Sequence, residues 1–377
     1  MVAAPLVSVC MPAYNHDRFV GSAIESILDQ SMSDLELLIC DDRSSDLTFD
    51  VIRSYCDDPR LSAERMPHRS GPSITVNAAL RRARGKYIAF CASDDRWLPD
   101  KLERQVAYLE RRPEVQAVFS RPWLIDASGE RLPDDRHDLG RDFGGTSFGR
   151  ADWLARFFFT GNCLCASTPL LRSDAMRRIG EFDPLLLQLQ DFDYWLRFMC
   201  HFDFVLQPER CVEYRVDNGG ANVSTLSHQS MARTLFESHR VLRHFSADAL
   251  AESMSLVRLD GADALSWQAP APHRDLMLAN LALRSAQAGY SPHHLLFALD
   301  CLYRYGSAVP GLEGGAGEAR LFSLALFDVT GSQMAQDLFL GRPSAAAAPA
   351  KNPIPEVAPP APAGGFWHSL RRKAGGK

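Results

Sequence analysis

Strand and helix patterns alternate through the first 110 residues, and this alternation constrains the fold more than any other feature of the sequence. The strand-like segments are short apolar runs at residues 6–11, 35–40, 61–66 and 87–91. Between them, apolar residues recur at the three- and four-residue spacing of amphipathic helices. Strands that alternate with helices are typical of β-α-β units on a parallel sheet. The pattern predicts an α/β fold in which ligands bind at the carboxyl ends of the strands.

The later part of the chain has mixed patterns. The strand-like runs are 115–119, 164–171 and 212–216, the helical pattern is 192–199, and 126–129 has the composition of a hairpin turn. From about residue 226 to 335 the apolar spacing is mostly helical. We therefore expect an α/β domain at residues 1–225, followed by a helical C-terminal region at 226–340.

The end of the chain has a different composition. Residues 343–363 contain 7 Pro and 8 Ala, which cannot build a core, so we expect an extended linker at 341–365. The tail at 366–377 combines Phe366, Trp367 and Leu370 with four basic residues and no acid. Such a tail suits peripheral contact with an anionic membrane surface. A frayed terminus is the alternative interpretation.

Composition and cysteine usage exclude several classes of protein. The chain has 41 basic and 46 acidic residues, a net charge of −5, and so lacks the basic excess typical of nucleic-acid binders. No apolar run approaches the length of a membrane span, and no basic region precedes the first strand as in a signal peptide. The nine cysteines lack the spacing of a disulfide framework or a zinc site. We expect a reduced, cytoplasmic protein.

Polar clusters follow the four predicted strands of the first 110 residues. They are Pro12-Ala13-Tyr14-Asn15, Asp41-Asp42-Arg43-Ser44, His68-Arg69-Ser70-Gly71 and Ser93-Asp94-Asp95. Adjacent carboxylates at one sheet edge suit a divalent cation, and a cation lets an acidic edge accept a diphosphate. Turn formation and helix capping are the alternative roles for each Asp pair.

The ordered set of motifs resembles the family 2 glycosyltransferases. The matching runs are residues 7–15, 22–31, 35–42 and 77–95, which include Ala83-Arg84-Gly85-Lys86-Tyr87-Ile88-Ala89-Phe90. The resemblance covers roughly residues 6–225 and implies a GT-A fold: a Rossmann-like, mixed and mostly parallel sheet flanked by helices. It also implies a nucleotide-sugar donor, most simply a UDP-sugar. The implied setting is surface-polysaccharide or glycoconjugate assembly in the cytoplasm, or at the inner face of a membrane.

The resemblance assigns donor-binding roles by position. Pro12, Ala13 and Tyr14 would line the base and ribose, and Asp41 would accept a hydrogen bond from the uracil ring. Arg69 would lie near the base or the diphosphate.

The resemblance also assigns the metal motif. Asp94 would face the ribose, and Asp95 would bind Mn²⁺ or Mg²⁺ bridging the donor diphosphate. Many members have a further Asp in this motif where this chain has Ala92.

The resemblance places the catalytic base at Asp191, directly before an aromatic-rich helix. A carboxylate there would take the proton of an acceptor hydroxyl during an inverting displacement. Gln190 stands where the family usually has Glu. The alternative role for Asp191 is an N-cap of the helix, and Asp193 is the competing base, although it should face another side of the helix.

Other positions leave alternatives open. Gly161, Asn162 and Asp183 resemble acceptor-side and packing positions, and Asp217 stands where many members have a His that reaches the diphosphate or metal. The acceptor class stays open among a glycan, a lipid-linked glycan and a protein. A non-catalytic sugar-nucleotide-binding or scaffold protein is the main rival. A nucleotidyltransferase is disfavoured because residues 12–17 are not a Gly-rich basic phosphate loop.

Overall fold

The computed structural model describes residues 4–134, 143, 149–216, 228–246, 275, 278–279, 282 and 292–305. All of these lie in one compact unit that spans residues 1–326. The predicted linker at 341–365, the basic tail at 366–377 and Asp217 lie outside the described residues, as does most of the region 247–340. Among the described residues, no helix is long and apolar enough to span a lipid bilayer.

Nine described strands form one mixed sheet with the order β3-β2-β1-β4-β8-β6-β9-β5, and β7 pairs with β6. The strands are β1 (Val7–Ala13), β2 (Leu35–Asp41), β3 (Leu61–Arg65), β4 (Tyr87–Phe90), β5 (Arg96–Trp97), β6 (Ala117–Ile125), β7 (Arg131–Leu132), β8 (Leu170–Arg172) and β9 (Phe204–Arg215). Strands β3, β2, β1 and β4 run parallel, and β6 runs parallel to β9. The α/β fold and the four parallel strands of the first 110 residues are confirmed.

The described helices flank this sheet. They are α1 (Val20–Leu28), α2 (Thr48–Arg53), α3 (Pro72–Arg82), α4 (Lys101–Arg111), α5 (Arg150–Thr160), α6 (Ser173–Ile179), α7 (Gln190–Met199), α8 (His228–Leu242) and α9 (Pro292–Tyr305). A short 3₁₀ turn, Arg243–Ser246, follows α8 directly.

The central strands are apolar on both sides because both faces of the sheet are covered. In β1, Val7, Val9 and Met11 face one core, and Cys10 faces the other. The first core is shared with α1 and α4, and the second with α3, α5, α7 and the described apolar residues of α8 and α9. Burial on both faces is typical of parallel strands, and it fixes their register. The carboxyl ends of β1 to β4 therefore meet at one edge.

The predicted strand at 164–171 is wrong for most of its length. Only Leu170–Arg172 forms a strand, and the preceding residues form a loop. Asn162 Oδ1 accepts a hydrogen bond from the Leu164 amide, and the Thr168 amide donates to the Cys165 carbonyl, so the backbone turns on itself. Leu164 and Cys165 are nevertheless buried. An apolar alternation here marks a loop that packs against the core.

Candidate active site

The carboxyl ends of β1 and β2 bring the predicted donor-binding residues of the first two motifs together. Pro12 and Ala13 lie in register with Cys40 and Asp41. Asp41 is fully buried, and its Oδ2 accepts the Ser44 amide at 3.0 Å. Arg65 Nε, from the end of β3, lies 3.2 Å from the same oxygen. Asp41 is therefore held at the sheet edge by the loop after β2 and by the end of β3.

Asp42 anchors the loop that carries Arg69. Its two carboxylate oxygens accept the Ser70 amide at 2.6 Å and the Gly71 amide at 2.9 Å. The Arg69 guanidinium stacks over the Tyr14 ring, with Cζ 4.3 Å from the ring centroid. A planar cation on an aromatic ring is a stable arrangement that leaves polar groups free for a ligand. The structure thus places Tyr14, Asp41 and Arg69 around one end of the sheet.

Two non-glycine residues beside this edge adopt left-handed backbone conformations. Asn15 has φ of 52° and Arg43 has φ of 61°. Asn15 tolerates this region because its Oδ1 accepts the Ser45 amide at 2.9 Å, and its own amide donates to Ser44 Oγ at 2.9 Å. Such conformations cluster at functional sites, where surrounding contacts hold them.

Asp95 is held by two distant parts of the chain. Ser167 Oγ donates to its Oδ2 at 2.5 Å, and the Arg215 amide donates to its Oδ1 at 2.9 Å. Arg215 Nε also donates to the Asp94 carbonyl at 2.8 Å. On the other side, His16 Nε2 lies 3.9 Å from Asp94 Oδ2. The two carboxylates are therefore fixed next to each other.

The electrostatics of this pair suit a divalent cation. Burial, together with the neighbouring Asp94 charge, raises the pKa of Asp95 well above its usual range. A cation relieves this crowding of negative charge. Within the described residues, no three His, Cys, Asp or Glu side chains form a protein-only metal cage. One or two carboxylates plus substrate phosphate oxygens are the ordinary coordination of Mg²⁺, so Asp94 and Asp95 fit such an ion.

Asp191 lies in the first turn of α7. Its Oδ2 accepts Asn162 Nδ2 at 2.7 Å, and its Oδ1 accepts the Phe192 amide at 2.8 Å. Burial raises the pKa of Asp191 to about 6. The N-cap position belongs to Leu189, so the alternative role of Asp191 as the N-cap is wrong. A partly buried carboxylate with a pKa near neutrality is suited to general-base chemistry.

Asp193 points away from Asp191 to a different set of partners. Arg197 Nε donates to its Oδ2 at 2.8 Å, and His244 Nε2 lies 2.6 Å from its Oδ1. Burial alone raises the pKa of Asp193, but the bonds from His244 and Arg197 hold it below its usual range. Both oxygens are thus engaged by neighbouring side chains, which leaves Asp191 as the better-placed base.

The acidic pair and Asp191 both act electrostatically on Tyr214 and Cys165. The pKa of the Tyr214 phenol is raised well above its usual range by burial and by the Asp95, Asp94 and Asp191 carboxylates. The pKa of the Cys165 thiol is raised by burial and also by Asp95 and Asp191. Both side chains feel carboxylates from both motifs, so the site joins residues that are far apart in the sequence.

Sequence reasoning missed the residues that support this site. Ser167 and Arg215 hold Asp95, and Tyr214 interacts electrostatically with both acidic motifs. Nothing in the local pattern distinguishes Ser167 from an ordinary loop serine. Asp183, expected to be structural more than catalytic, binds Arg240 Nε at 2.6 Å.

Comparison with known proteins identifies the family. The sequence profile of "Glycosyl transferase family 2" matches residues 8–175. The glycosyltransferase EpsE of Bacillus subtilis, named as putative, is 32% identical over 207 residues, which cover 52% of this chain and 68% of EpsE. The chain belongs to glycosyltransferase family 2. It is an enzyme of the glycosyltransferase class, as the resemblance implied.

Two further similarities extend the comparison. WfgD of Escherichia coli, a UDP-Glc:alpha-D-GlcNAc-diphosphoundecaprenol beta-1,3-glucosyltransferase, is 38% identical over 104 residues. Those residues cover 28% of this chain and 41% of WfgD, so less than half of that relative is matched. The crystal structure of S. aureus TarS 1-349 in complex with UDP-GlcNAc is 15% identical, with a TM-score of 0.54 over 89% of this chain and 92% of TarS 1-349. This similarity supports the GT-A fold.

Proposed function

We propose that this family 2 glycosyltransferase is an inverting, divalent-cation-dependent enzyme that transfers a sugar from a UDP-linked donor to an acceptor hydroxyl. The observation that carries the proposal is the shared site, in which Asp191 and the Asp94–Asp95 pair both interact electrostatically with Tyr214. An inverting transfer needs a base on one side of the sugar and charge stabilisation at the diphosphate on the other.

In this mechanism the Asp191 carboxylate accepts the proton of the acceptor hydroxyl while the hydroxyl oxygen attacks the anomeric carbon. The bond from that carbon to the diphosphate breaks in the same displacement, and the nucleoside diphosphate leaves. Asn162 holds the Asp191 carboxylate through its 2.7 Å hydrogen bond. Asp94 and Asp95 would hold a Mn²⁺ or Mg²⁺ ion, which when bound would stabilise the charge on the leaving diphosphate.

The nucleotide end of the donor would lie along the ends of β1 to β3. Asp41 would accept a hydrogen bond from the base, next to Pro12, Ala13 and Tyr14. Arg69 is held near this edge by its stacking on Tyr14, where its charge suits the diphosphate.

For the acceptor we propose a lipid-linked glycan. WfgD, which is 38% identical to this chain over 104 residues, is named for a diphosphoundecaprenol-linked acceptor. In addition, Leu185 and Leu187, in the loop that leads to Asp191, are 71% and 37% exposed. Apolar side chains that stay exposed beside a site often mark a surface for an apolar ligand.

The test is transfer from UDP-, GDP- and dTDP-sugars in the presence of Mn²⁺ or Mg²⁺, with short polyprenyl-diphosphate glycans and free oligosaccharides as acceptors. We expect cation-dependent nucleotide release with a UDP-sugar, and loss of that release in Asp95→Ala. Asp191→Asn should bind the donor and lose transfer, while the matched variant Asp193→Asn, which keeps the base, should lose far less. No donor binding with any nucleotide and either cation would refute the proposal. Donor binding with no transfer to any acceptor class would favour a non-catalytic binding protein.

A further inference from the structure

One face of α8 carries a row of polar side chains that contact the segment leading into α7. Thr234, Glu237 and Arg240 on the helix, and His244 in the 3₁₀ turn after it, are separated by three, three and four residues. This spacing places them on one side of the helix. We call these four residues the clamp face.

Glu237 makes the central contacts of the clamp face. Its Oε1 accepts the Leu187 amide at 3.0 Å, and its Oε2 accepts the amides of Gln188 and Leu189 at 2.8 Å each. The side chain is buried, with a relative exposure of 7% for the residue. Leu189 is the N-cap of α7, so one buried carboxylate binds three consecutive N–H groups at the start of this helix. Hydrogen bonds to an ionised acceptor are about twice as strong as neutral ones.

The other members of the clamp face contact residues before and after the start of α7. Gln188 Nε2 donates to Thr234 Oγ1 at 2.7 Å, and Arg240 Nε donates to Asp183 Oδ2 at 2.6 Å. His244 Nε2 lies 2.6 Å from Asp193 Oδ1. The contacts with residues 187–189 and with Asp193 therefore flank Asp191 along the chain.

We propose that Glu237 is a positioning residue that, with the rest of the clamp face, holds Asp191 in place for proton transfer. The proposal rests on the proposed role of Asp191 as the base. It also assigns a role to the first helix after residue 225: this helix completes the active site of the α/β domain. Precise placement matters because a shift of about 1 Å in a reacting group costs about 100-fold in rate.

Glu237 also places a negative charge near Asp191. The residue next to Asp191 in the sequence, Gln190, carries no charge. The pKa of Asp191 is raised chiefly by burial, and the Glu237 carboxylate raises it further. Tyr214 and Cys165 are further titratable groups that interact with Asp191. Neither ionises at the pH where Asp191 titrates, because burial raises the pKa of both groups. Removal of the Glu237 charge should therefore move the acid limb of the rate profile to lower pH.

The experiment compares Glu237→Gln, Glu237→Asp and the milder Thr234→Val in the full-length chain. The matched control is Glu36→Gln, since Glu36 is also buried and accepts the Arg84 amide at 2.9 Å, but lies at the opposite end of β2 from Asp41. We expect kcat of Glu237→Gln to fall about 10- to 100-fold. The donor KM should stay within about twofold of the original, because no contact of the donor site is removed. Glu237→Asp should recover part of kcat, and Thr234→Val should lower it less.

A purely structural role gives a different result. In that case Glu237→Gln and Glu36→Gln would both lower the melting temperature, while kcat and the acid limb measured on folded protein would match the original chain. That result would overturn the proposal, as would equal losses of kcat in the two variants. If Glu237→Gln does not fold, Thr234→Val carries the test through kcat alone, because it removes the bond to Gln188 but no charge. An unchanged kcat in that variant would overturn the proposal. Asp191→Asn separates the two proposals, because full turnover in that variant would refute the base itself.

Discussion

Replacement of Asp191 by Asn should stabilise the fold at neutral pH while it removes transfer activity. The pKa of Asp191 is about 6 in the folded chain, against an ordinary value of 3.8, because burial disfavours the charged carboxylate. A difference of about two pH units corresponds to about 3 kcal/mol of unfolding free energy. A raised pKa of this kind is what the proposed role of Asp191 as a general base requires.

The sign of the pH dependence follows from proton binding. Between pH 3.8 and about 6 the folded chain holds a proton on Asp191 that the unfolded chain has lost. The original protein therefore loses stability as pH rises through this window, and carries the full cost above it. Asn does not ionise, and the unfolded chain is already partly ionised at pH 4, so the stability of Asp191→Asn relative to the original chain should rise by about 2 kcal/mol from pH 4 to pH 7. The substitution also changes the hydrogen bonds to Asn162 and Phe192. That change shifts the difference in unfolding free energy between the two proteins equally at every pH.

The assay is urea unfolding of both proteins at pH 4, 5, 6 and 7, with Asp193→Asn as the matched control. The pKa of Asp193 is lowered, since its bonds to His244 and Arg197 outweigh burial. The sign for this control is opposite: Asp193→Asn should lose stability relative to the original chain as pH rises from the acid range. A stability difference for Asp191→Asn that is flat from pH 4 to pH 7 would refute the reasoning. Transfer by the original enzyme should lose rate as pH falls below about 6, because Asp191 then takes up a proton.

Three further outcomes test other parts of the structure. Gly85→Ala should destabilise the fold by about 1–3 kcal/mol in urea unfolding, because a Cβ there would lie 2.5 Å from the Ser8 backbone nitrogen. Asp42→Ala should raise the donor Kd about tenfold in calorimetry, since loop 68–71 loses two anchoring hydrogen bonds; an unchanged Kd would contradict this. Burial lowers the pKa of Lys101 from 10.5 to about 8, so the charged side chain destabilises the fold most below pH 8. The unfolding free energy of Lys101→Met relative to the original chain should therefore fall between pH 8 and pH 10.5.

The sequence predicts the first half of the fold because its signals there are local. Each of the four parallel strands is a continuous apolar run, and each intervening helix repeats its apolar residues at helical spacing. Parallel strands bring their carboxyl ends to one edge of the sheet. The sequence therefore predicts that the residues at these ends lie near each other, namely Tyr14, Asp41, Asp94 and Asp95. Their individual roles remain predictions.

The rest of the site depends on contacts between distant residues. Glu237 binds the Leu189 amide across 48 positions of sequence, and no spacing rule connects the two. Ser167 lies in a loop whose apolar alternation was interpreted as a strand, although the loop turns back on itself. Alternation reports burial of side chains, and it does not distinguish a strand from a buried loop. Only the packed structure shows that such residues complete the site.

The two partners of Asp95 also affect the order in which the enzyme can mature. Its carboxylate is 72 residues from Ser167 and 120 residues from the Arg215 amide. Contacts between residues this far apart form late in folding, because the entropy of loop closure opposes them until other structure is present. During synthesis, a nascent chain of about 110 residues carries every strand-end motif of the donor half but lacks both of these partners. Under the proposed role of Asp95, we expect a nascent chain to bind the donor only after β9, the last described strand of the sheet, has been made.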